Sequence, residues 1–428
     1  MKRKDVQHRP DTLSAVSRRG FLKGAAAIAA AGSVSTLAQQ DQDVHQVSSP
    51  QDRTLAYVGC YTPNGQGIYL FEANPATGKL TQIKVFQGAD TPLVSTRNPS
   101  WLAFDPQKRY LYAGNEISNF GGTTAGAVSA FAVDRATGDL TYLNSVSSQG
   151  SGPAHLSVDP SGKYVLVANY GGGNVAVLPI LSDGALGAAT DVKNDAGACG
   201  ATPCSLGPRR AQNGPPGSFA VSGHEAPHAH MIQTDPAGNY VIVSDLGLDL
   251  TIIWKFDKAT GTLSEPKTFA TSPGAGPRHF AFHPNGRWFY SLNEESSTLE
   301  FMHYDARGGS LQSVEEVSTL PSDFVGTNFT SEVIISPDGR FIYAANRLHD
   351  TIAVFAIDGT GSPRLIGEEW TRADYPRHCN IAPSGNFLYV CNHRGDSITT
   401  FRIDRRGRRL NFTGQYTPVG SPAVIVFL

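Results

Sequence analysis

Six copies of one short unit run through this chain, and a unit that short cannot bury its apolar faces without neighbours of its own kind. The copies are Phe104-Asp105-Pro106 to Asn115, Val158-Asp159-Pro160 to Asn169, Thr234-Asp235-Pro236 to Asp245, Phe282-His283-Pro284 to Asn293, Ile335-Ser336-Pro337 to Asn346, and Ile381-Ala382-Pro383 to Asn392. In each, an alternating strand precedes the Pro and a turn such as Pro160-Ser161-Gly162-Lys163 follows it. A second alternating strand, such as Tyr164-Val165-Leu166-Val167-Ala168, completes a predicted hairpin. A third strand is expected after every hairpin, at 127–133, 174–179, 251–256, 298–304, 351–357 and 397–403, and a turn such as Thr137-Gly138-Asp139-Leu140 leads on to a fourth. Four strands in a repeat of about 45 to 75 residues predict the blades of an all-β propeller.

The two ends supply a seventh blade. Ser421-Pro422-Ala423-Val424-Ile425-Val426-Phe427 has the pattern of a first strand, whereas Leu55-Ala56-Tyr57-Val58-Gly59 and residues 67–72 have the patterns of a second and a third. A blade shared between N- and C-terminal strands closes the ring and removes open sheet edges, which a pair of β-sandwiches would not explain. The 45 Gly, 27 Pro and 17% charged residues agree with many short strands and tight turns. A net charge of -2 gives no field that would attract nucleic acid or an anionic membrane, and the basic runs at 209–210 and 405–409 are too short to change that.

Residues 1–38 carry Ser17-Arg18-Arg19-Gly20-Phe21-Leu22-Lys23, a small apolar stretch from Gly24 to Ala31, and Thr36-Leu37-Ala38 as a cleavage site. Together they resemble a twin-arginine signal, a type that exports folded proteins, and predict a periplasmic or extracellular location. Residues 39–52 read as a polar linker and 53–428 as the propeller. No other apolar run is long enough to span a membrane, so the mature protein is expected to be soluble. Of five cysteines, Cys199 and Cys204 lie in a Gly/Pro-rich loop where a local disulfide is possible, and Cys60, Cys379 and Cys391 read as buried, unpaired thiols.

The repeat separates scaffold from chemistry. Residues at the start of a first strand and at the end of a second meet at one mouth of a propeller channel. Nine positions after the repeat Pro stands Asn or Asp in every copy, so these Asx residues read as local turn chemistry. Ten positions after it the residues differ: Glu116, Tyr170, Leu246, Glu294, Arg347 and His393. Six before it they differ again: Ser100, Ala154, His230, Arg278, Ser331 and Arg377, with Ala423 in the shared blade. Arg, His and Glu converging in a concave site suit an anionic substrate and a proton transfer. His155, His279 and His378 lie one residue further along and are expected to face away as packing residues. His228, two before His230, could share its face, but the His-x-His pair lacks carboxylate partners at this spacing, so neither a metal nor another cofactor is expected.

From about Leu55 to the C-terminus the chain resembles the seven-bladed propeller lactonases, a family that includes propeller-type bacterial 6-phosphogluconolactonases and fungal carboxy-muconate lactonizing enzyme. The resemblance is carried by Gly274-Ala275-Gly276-Pro277-Arg278-His279 with Phe282-His283-Pro284, by Asn293-Glu294, by Ser336-Pro337-Asp338-Gly339-Arg340, by Asn346-Arg347 and by Tyr375-Pro376-Arg377. It implies a metal-free site of one His, two Arg and one Glu, which match His230, Arg278, Glu294 and Arg347. Arg377, His393, His228, Glu116 and Tyr170 are then candidates for contacting substrate. Ile334 replaces a His common in relatives, and the Gly/Ala/Pro-rich insertion from Gly187 to Gly223 is expected to overhang the site.

The implied reaction is hydrolysis of a small sugar-type or carboxylate-bearing lactone. Arg278 and Arg347 would stabilise the oxyanion, His230 would activate water near neutral pH, and Glu294 would orient His230. The same cluster could close a lactone from a muconate, as a cycloisomerase does. Strands such as Tyr164 to Asn169 also resemble surface-layer propeller repeats, which leaves an exported binding protein as the non-enzymatic reading. The export reading is checked by replacing Arg18 and Arg19 with Lys: the precursor should then stay in the cytoplasm, and normal export of that variant would refute it.

Overall fold

A computed structural model describes residues 53–428 apart from 88–89, 92–93, 96, 222 and 405–408. The export signal and linker expected before residue 53 lie outside the described residues. Seven four-stranded antiparallel sheets follow one another along the chain. Blade 1 combines Pro422–Phe427 with Thr54–Cys60, Gly67–Ala73 and Leu80–Gln87. Blades 2 to 7 open on Pro99–Phe104, Pro153–Val158, Ala229–Thr234, Pro277–Phe282, Thr330–Ile335 and Pro376–Ile381 as their innermost strands. The strands expected from the repeat are all present, with boundaries shifted by no more than one residue. The C-terminal strand pairs antiparallel with the N-terminal one, Tyr57 opposite Val426 and Val58 opposite Ile425, so the ring is closed by main-chain hydrogen bonds.

The turn residues explain the repeat. Asp105 accepts hydrogen bonds from the amides of Arg109 and Tyr110, at 2.5 and 2.7 Å, and Asp159 does the same for Lys163 and Tyr164. Each buried carboxylate thus satisfies two amides that the hairpin turn would leave unpaired. The Asx residue at the end of the second strand does more than local turn chemistry. Asn115 donates to the Arg97 carbonyl, Asn169 to that of Ser148 and Asn346 to that of Thr319, so each ties its strand to the segment entering the blade.

The apolar core is divided into seven clusters, each formed between two neighbouring blades; Leu55, Tyr57, Leu102 and Leu111, for example, join blades 1 and 2. No blade has a core of its own, which is why the repeat needs its neighbours. Tyrosine hydroxyls at one strand position reinforce these seams: Tyr57, Tyr112, Tyr290 and Tyr389 donate to the carbonyls of Gly138, Gly184, Gly361 and Gly78 in the next blade. Cys199 and Cys204 form a disulfide, and Cys60, Cys379 and Cys391 are buried free thiols.

Ring closure makes a prediction. Deleting residues 422–428 strips blade 1 of its innermost strand and exposes Thr54–Cys60 as a hydrophobic edge. The melting temperature should fall by at least about 10 °C, equivalent to a loss of several kcal/mol for a domain of this size. An unchanged melting temperature would show that closure contributes little.

Candidate active site

Every innermost strand of blades 2 to 7 begins with a β-bulge: the register with its neighbour shifts between the first residue and the third, or the fourth in blade 6. In blade 5, Pro277 stands opposite Asn293 and His279 opposite Leu292, leaving Arg278 unpaired and directed into the channel. A bulge re-aims a side chain at the rim of a sheet. Repeated round the ring, it gathers residues from successive blades at one mouth.

Arg278, Glu294 and Arg347 form the centre of this assembly. Glu294 Oε2 lies 3.0 Å from Arg278 Nε and 2.7 Å from Arg347 Nη2, and the three residues are 2, 8 and 4% exposed. Arg278 also donates to the Ser331 carbonyl, and Arg347 to the Tyr375 hydroxyl at 3.2 Å, with its guanidinium against the rings of Phe329 and Tyr375. Burial alone would raise the pKa of Glu294, but Arg347 and Arg278 more than offset this and hold it ionised. Burial, with Arg347 nearby, pushes the Arg278 pKa down to about 10, which still leaves it charged at neutral pH.

His230 faces this group from blade 4, held between the rings of Tyr170 and His279, whose centroids lie 5.5 and 5.0 Å away. Its Nδ1 is buried and has no hydrogen-bond partner. Burial and the charges of Arg278, Arg377 and Arg347 push its pKa well below 6.5, which makes His230 neutral at pH 7 and moves its titration away from the neutral range expected from the sequence. Its expected partnership with Glu294 changes too, because Glu294 Oε2 binds the two arginines.

The remaining candidates line the same mouth. His228 stacks on Tyr170 at 4.1 Å, contacts the Tyr170 carbonyl through Nδ1 at 2.8 Å and lies 3.2 Å from Glu225, so it supports Tyr170 from behind. Arg377 donates to the Tyr61 hydroxyl and lies 3.6 Å from Glu116, to which Tyr61 also donates. His393 packs between Tyr61 and Tyr375; burial and the neighbouring Arg377 and Arg394 lower its pKa to about 4.

Two placements depart from the sequence reading. His155, His279 and His378 do not face away from the channel: Trp101 touches all three rings, at 4.2, 5.3 and 5.3 Å between centroids, and Glu332 lies 3.2 Å from His279 and 3.4 Å from His378. The bulge cancels the strict in–out alternation of a strand, so consecutive residues both enter the channel, and this layer forms a floor beneath the site. The second departure concerns two tyrosines the sequence reading missed. Tyr375 stands two residues before Arg377, and Tyr61 holds in blade 1 the position of Glu116 and Tyr170, which counting from Tyr57 as the counterpart of Tyr112 would have located. Among the described residues, no three His, Cys, Asp or Glu are grouped so as to hold a metal ion.

The fold and the mouth together define a propeller whose channel end is a buried, arginine-rich pocket with a neutral imidazole at its wall. Residues 55–427 match the family model "Lactonase, 7-bladed beta-propeller", and the chain belongs to that family. It is 33% identical over 325 residues, 76% of this chain and 83% of the relative, to a 6-phosphogluconolactonase of Bacillus subtilis. A 6-phosphogluconolactonase of Formosa agariphila is 29% identical over 75% of this chain and 84% of its own. Among solved structures, a periplasmic gluconolactonase of Pseudomonas aeruginosa superposes with a TM-score of 0.75 at 27% identity, covering 88% of this chain and 99% of the other.

The central ion triplet makes a prediction. Glu294→Gln leaves two buried guanidiniums without their shared counter-charge and should lower the unfolding free energy by about 3 kcal/mol. Equilibrium denaturation checks it: an unchanged stability would mean that Glu294 does not hold the arginines in place.

Proposed function

We propose that this protein is an exported hydrolase of small lactones that are uncharged or carry a single carboxylate, and that His230, Arg278, Glu294 and Arg347 carry the reaction. The observation behind this reading is the buried, unpartnered Nδ1 of His230 within a ring of three arginines. Among the inner groups around His230, Arg278, Arg347 and Arg377 face two carboxylates, Glu294 and Glu116, which leaves one positive charge in excess there. Arg394, over the Tyr375 ring, and Glu225, beside His228, lie outside this inner set. Glu332 in the floor adds little negative charge at neutral pH, because burial raises its pKa to about 8. One surplus charge matches one developing oxyanion or one substrate carboxylate.

In the proposed mechanism, Arg278 and Arg347 hold the lactone carbonyl oxygen, and His230 takes a proton from the water that attacks the carbonyl carbon. As negative charge builds on the oxygen, it offsets the field of the arginines and makes the imidazolium easier to form. Once formed, that imidazolium is strongly acidic, which favours return of its proton to the ring oxygen as the C–O bond breaks. Glu294 holds the two guanidiniums in place through their shared Oε2 contact. Tyr61, Arg377, Glu116 and His393 on the opposite wall would contact the hydroxyl groups or carboxylate of the substrate. The periplasmic gluconolactonase among the structural relatives is consistent with this substrate class and location.

A panel of lactones and of muconates tests the reading, and cyclisation of a muconate without lactone hydrolysis would overturn it. On the best lactone, Arg278→Ala should lower kcat/KM about 100-fold or more, the usual cost of losing an oxyanion partner. Because the pKa of His230 lies well below 6.5, kcat/KM should stay level from about pH 6 to pH 8 and fall only at lower pH. His230→Ala should lower kcat across that range. Full activity in both variants would remove these residues from the mechanism.

A further inference from the structure

The insertion after blade 3 is a strap laid along the rim that carries the site. It leaves the short helical turn Asp195–Cys199, is cross-linked by the Cys199–Cys204 disulfide, and runs past the loops entering blades 5 and 6. Gln212 donates to the Pro273 carbonyl at 3.1 Å, Gly326 to that of Pro216 at 2.9 Å, and the Phe219 amide to Thr327 Oγ1 at 3.0 Å. Turning back toward blade 4, the strap buries His224 between two carboxylates: Nε2 lies 3.0 Å from Asp249 Oδ1 and Nδ1 2.8 Å from Glu295 Oε2.

Both carboxylates are tied to the segments that present the candidate catalytic groups. Asp249 accepts the amides of Gly274 at 2.6 Å and Gly276 at 2.9 Å, in the turn that leads two residues later to Arg278. Glu295 follows Glu294 directly, and the amides of Glu294 and Glu295 donate to the carbonyls of Gly276 and Ala275. Gly274 and Gly276 have φ of +75° and +66°, a left-handed path that glycine takes without strain. Neither glycine has a side chain to fix the turn, and Asp249 bonds both of their amides.

We propose that His224 is a positioning residue, an ionic clamp that joins the strap to the turn before Arg278 and to the Glu294–Glu295 corner and so holds Arg278 and Glu294 in register. The proposal rests on the lactonase reading only for its effect on turnover. Burial alone would lower the pKa of His224, but its bonds to Asp249 and Glu295 raise it to about 10 from an ordinary 6.5. The charged groups facing it are these two and, on the strap itself, Glu225. Because the folded pKa is the raised one, the clamp contributes its full stability below about pH 6.5 and loses it as pH rises through about 10.

The test uses the full-length mature protein and His224→Gln, which keeps a hydrogen-bonding side chain but no charge. At pH 7 the amides of Gly274, Gly276, Glu294 and Glu295 should exchange with deuterium about 10-fold faster than in the parent, while those of blades 1 and 2 are unchanged. On the best lactone, kcat should fall about 10- to 100-fold, the scale expected for misplacing catalytic groups. Unaltered exchange would overturn the clamp whatever the activity. Accelerated exchange with no lactone turnover in either protein would leave the clamp standing and count against the lactonase reading. If the Gln variant fails to fold, Glu295→Gln serves instead. It should move the onset of rapid exchange at these amides to lower pH, and an unmoved onset would overturn the proposal.

Discussion

The bulge that opens each innermost strand is the constraint on which the channel depends. A regular strand would send alternate side chains to opposite faces, and only one residue per blade could enter the axis at a given level. With the register shifted after the first residue, blade 5 sends Arg278 to the mouth and His279 to the layer beneath. Blade 7 does the same with Arg377 and His378. An innermost strand is also an open edge whose amides need partners. Side chains from the preceding blade supply some of them: His155 accepts the Ile232 amide, Met231 sulfur that of Phe280, and His378 that of Ile425. The floor of the channel is therefore structural in origin.

The burial of these imidazoles sets their electrostatics. His155 and His378 accept main-chain amides through Nδ1, so both rings are held neutral, and burial with the field of Arg278 pushes their pKa values to about 3. His378 can then present Nε2–H to Glu332. A layer of neutral imidazoles with a carboxyl raised to about 8 adds almost no charge, so the field at the mouth is set by the arginines above it. The same field that makes His230 a weak base in the resting protein makes its protonated form a ready acid. Both properties follow from three guanidiniums being placed around one imidazole, and they would be lost if the channel filled with water.

How much of this was legible in the sequence depends on how local the signal is. Strands, turns and ring closure are written into every copy of the repeat, because each blade must solve the same packing problem. The positions of His230, Arg278, Glu294 and Arg347 followed by counting from the repeat Pro, since residues that differ between blades stand out against those that do not. Tyr61 escaped that count because Cys60 stands where other blades carry Asx, bonding through sulfur to Gly67. The facing of His155, His279 and His378 was misread because a one-residue bulge leaves no mark in an alternating pattern. The clamp at His224 had no local signal at all: its two carboxylates lie 25 and 71 residues away along the chain, on loops of blades 4 and 5.

The contrast between His230 and His224 shows how one protein sets two histidines to opposite states. Both are buried, and burial alone drives each toward the neutral form. His230 faces three arginines, which add to that effect. His224 is held between two carboxylates, which reverse it. A buried imidazole therefore takes its charge from what the surrounding loops present, and in this propeller those loops are set by blade order. The blades that deliver cations converge on the mouth from 5, 6 and 7, while Asp249 and Glu295 sit at the outer turns of blades 4 and 5. Reactive and structural roles are separated by a few ångströms of the same rim, and the turn from Gly274 to Arg278 is the piece of chain common to both.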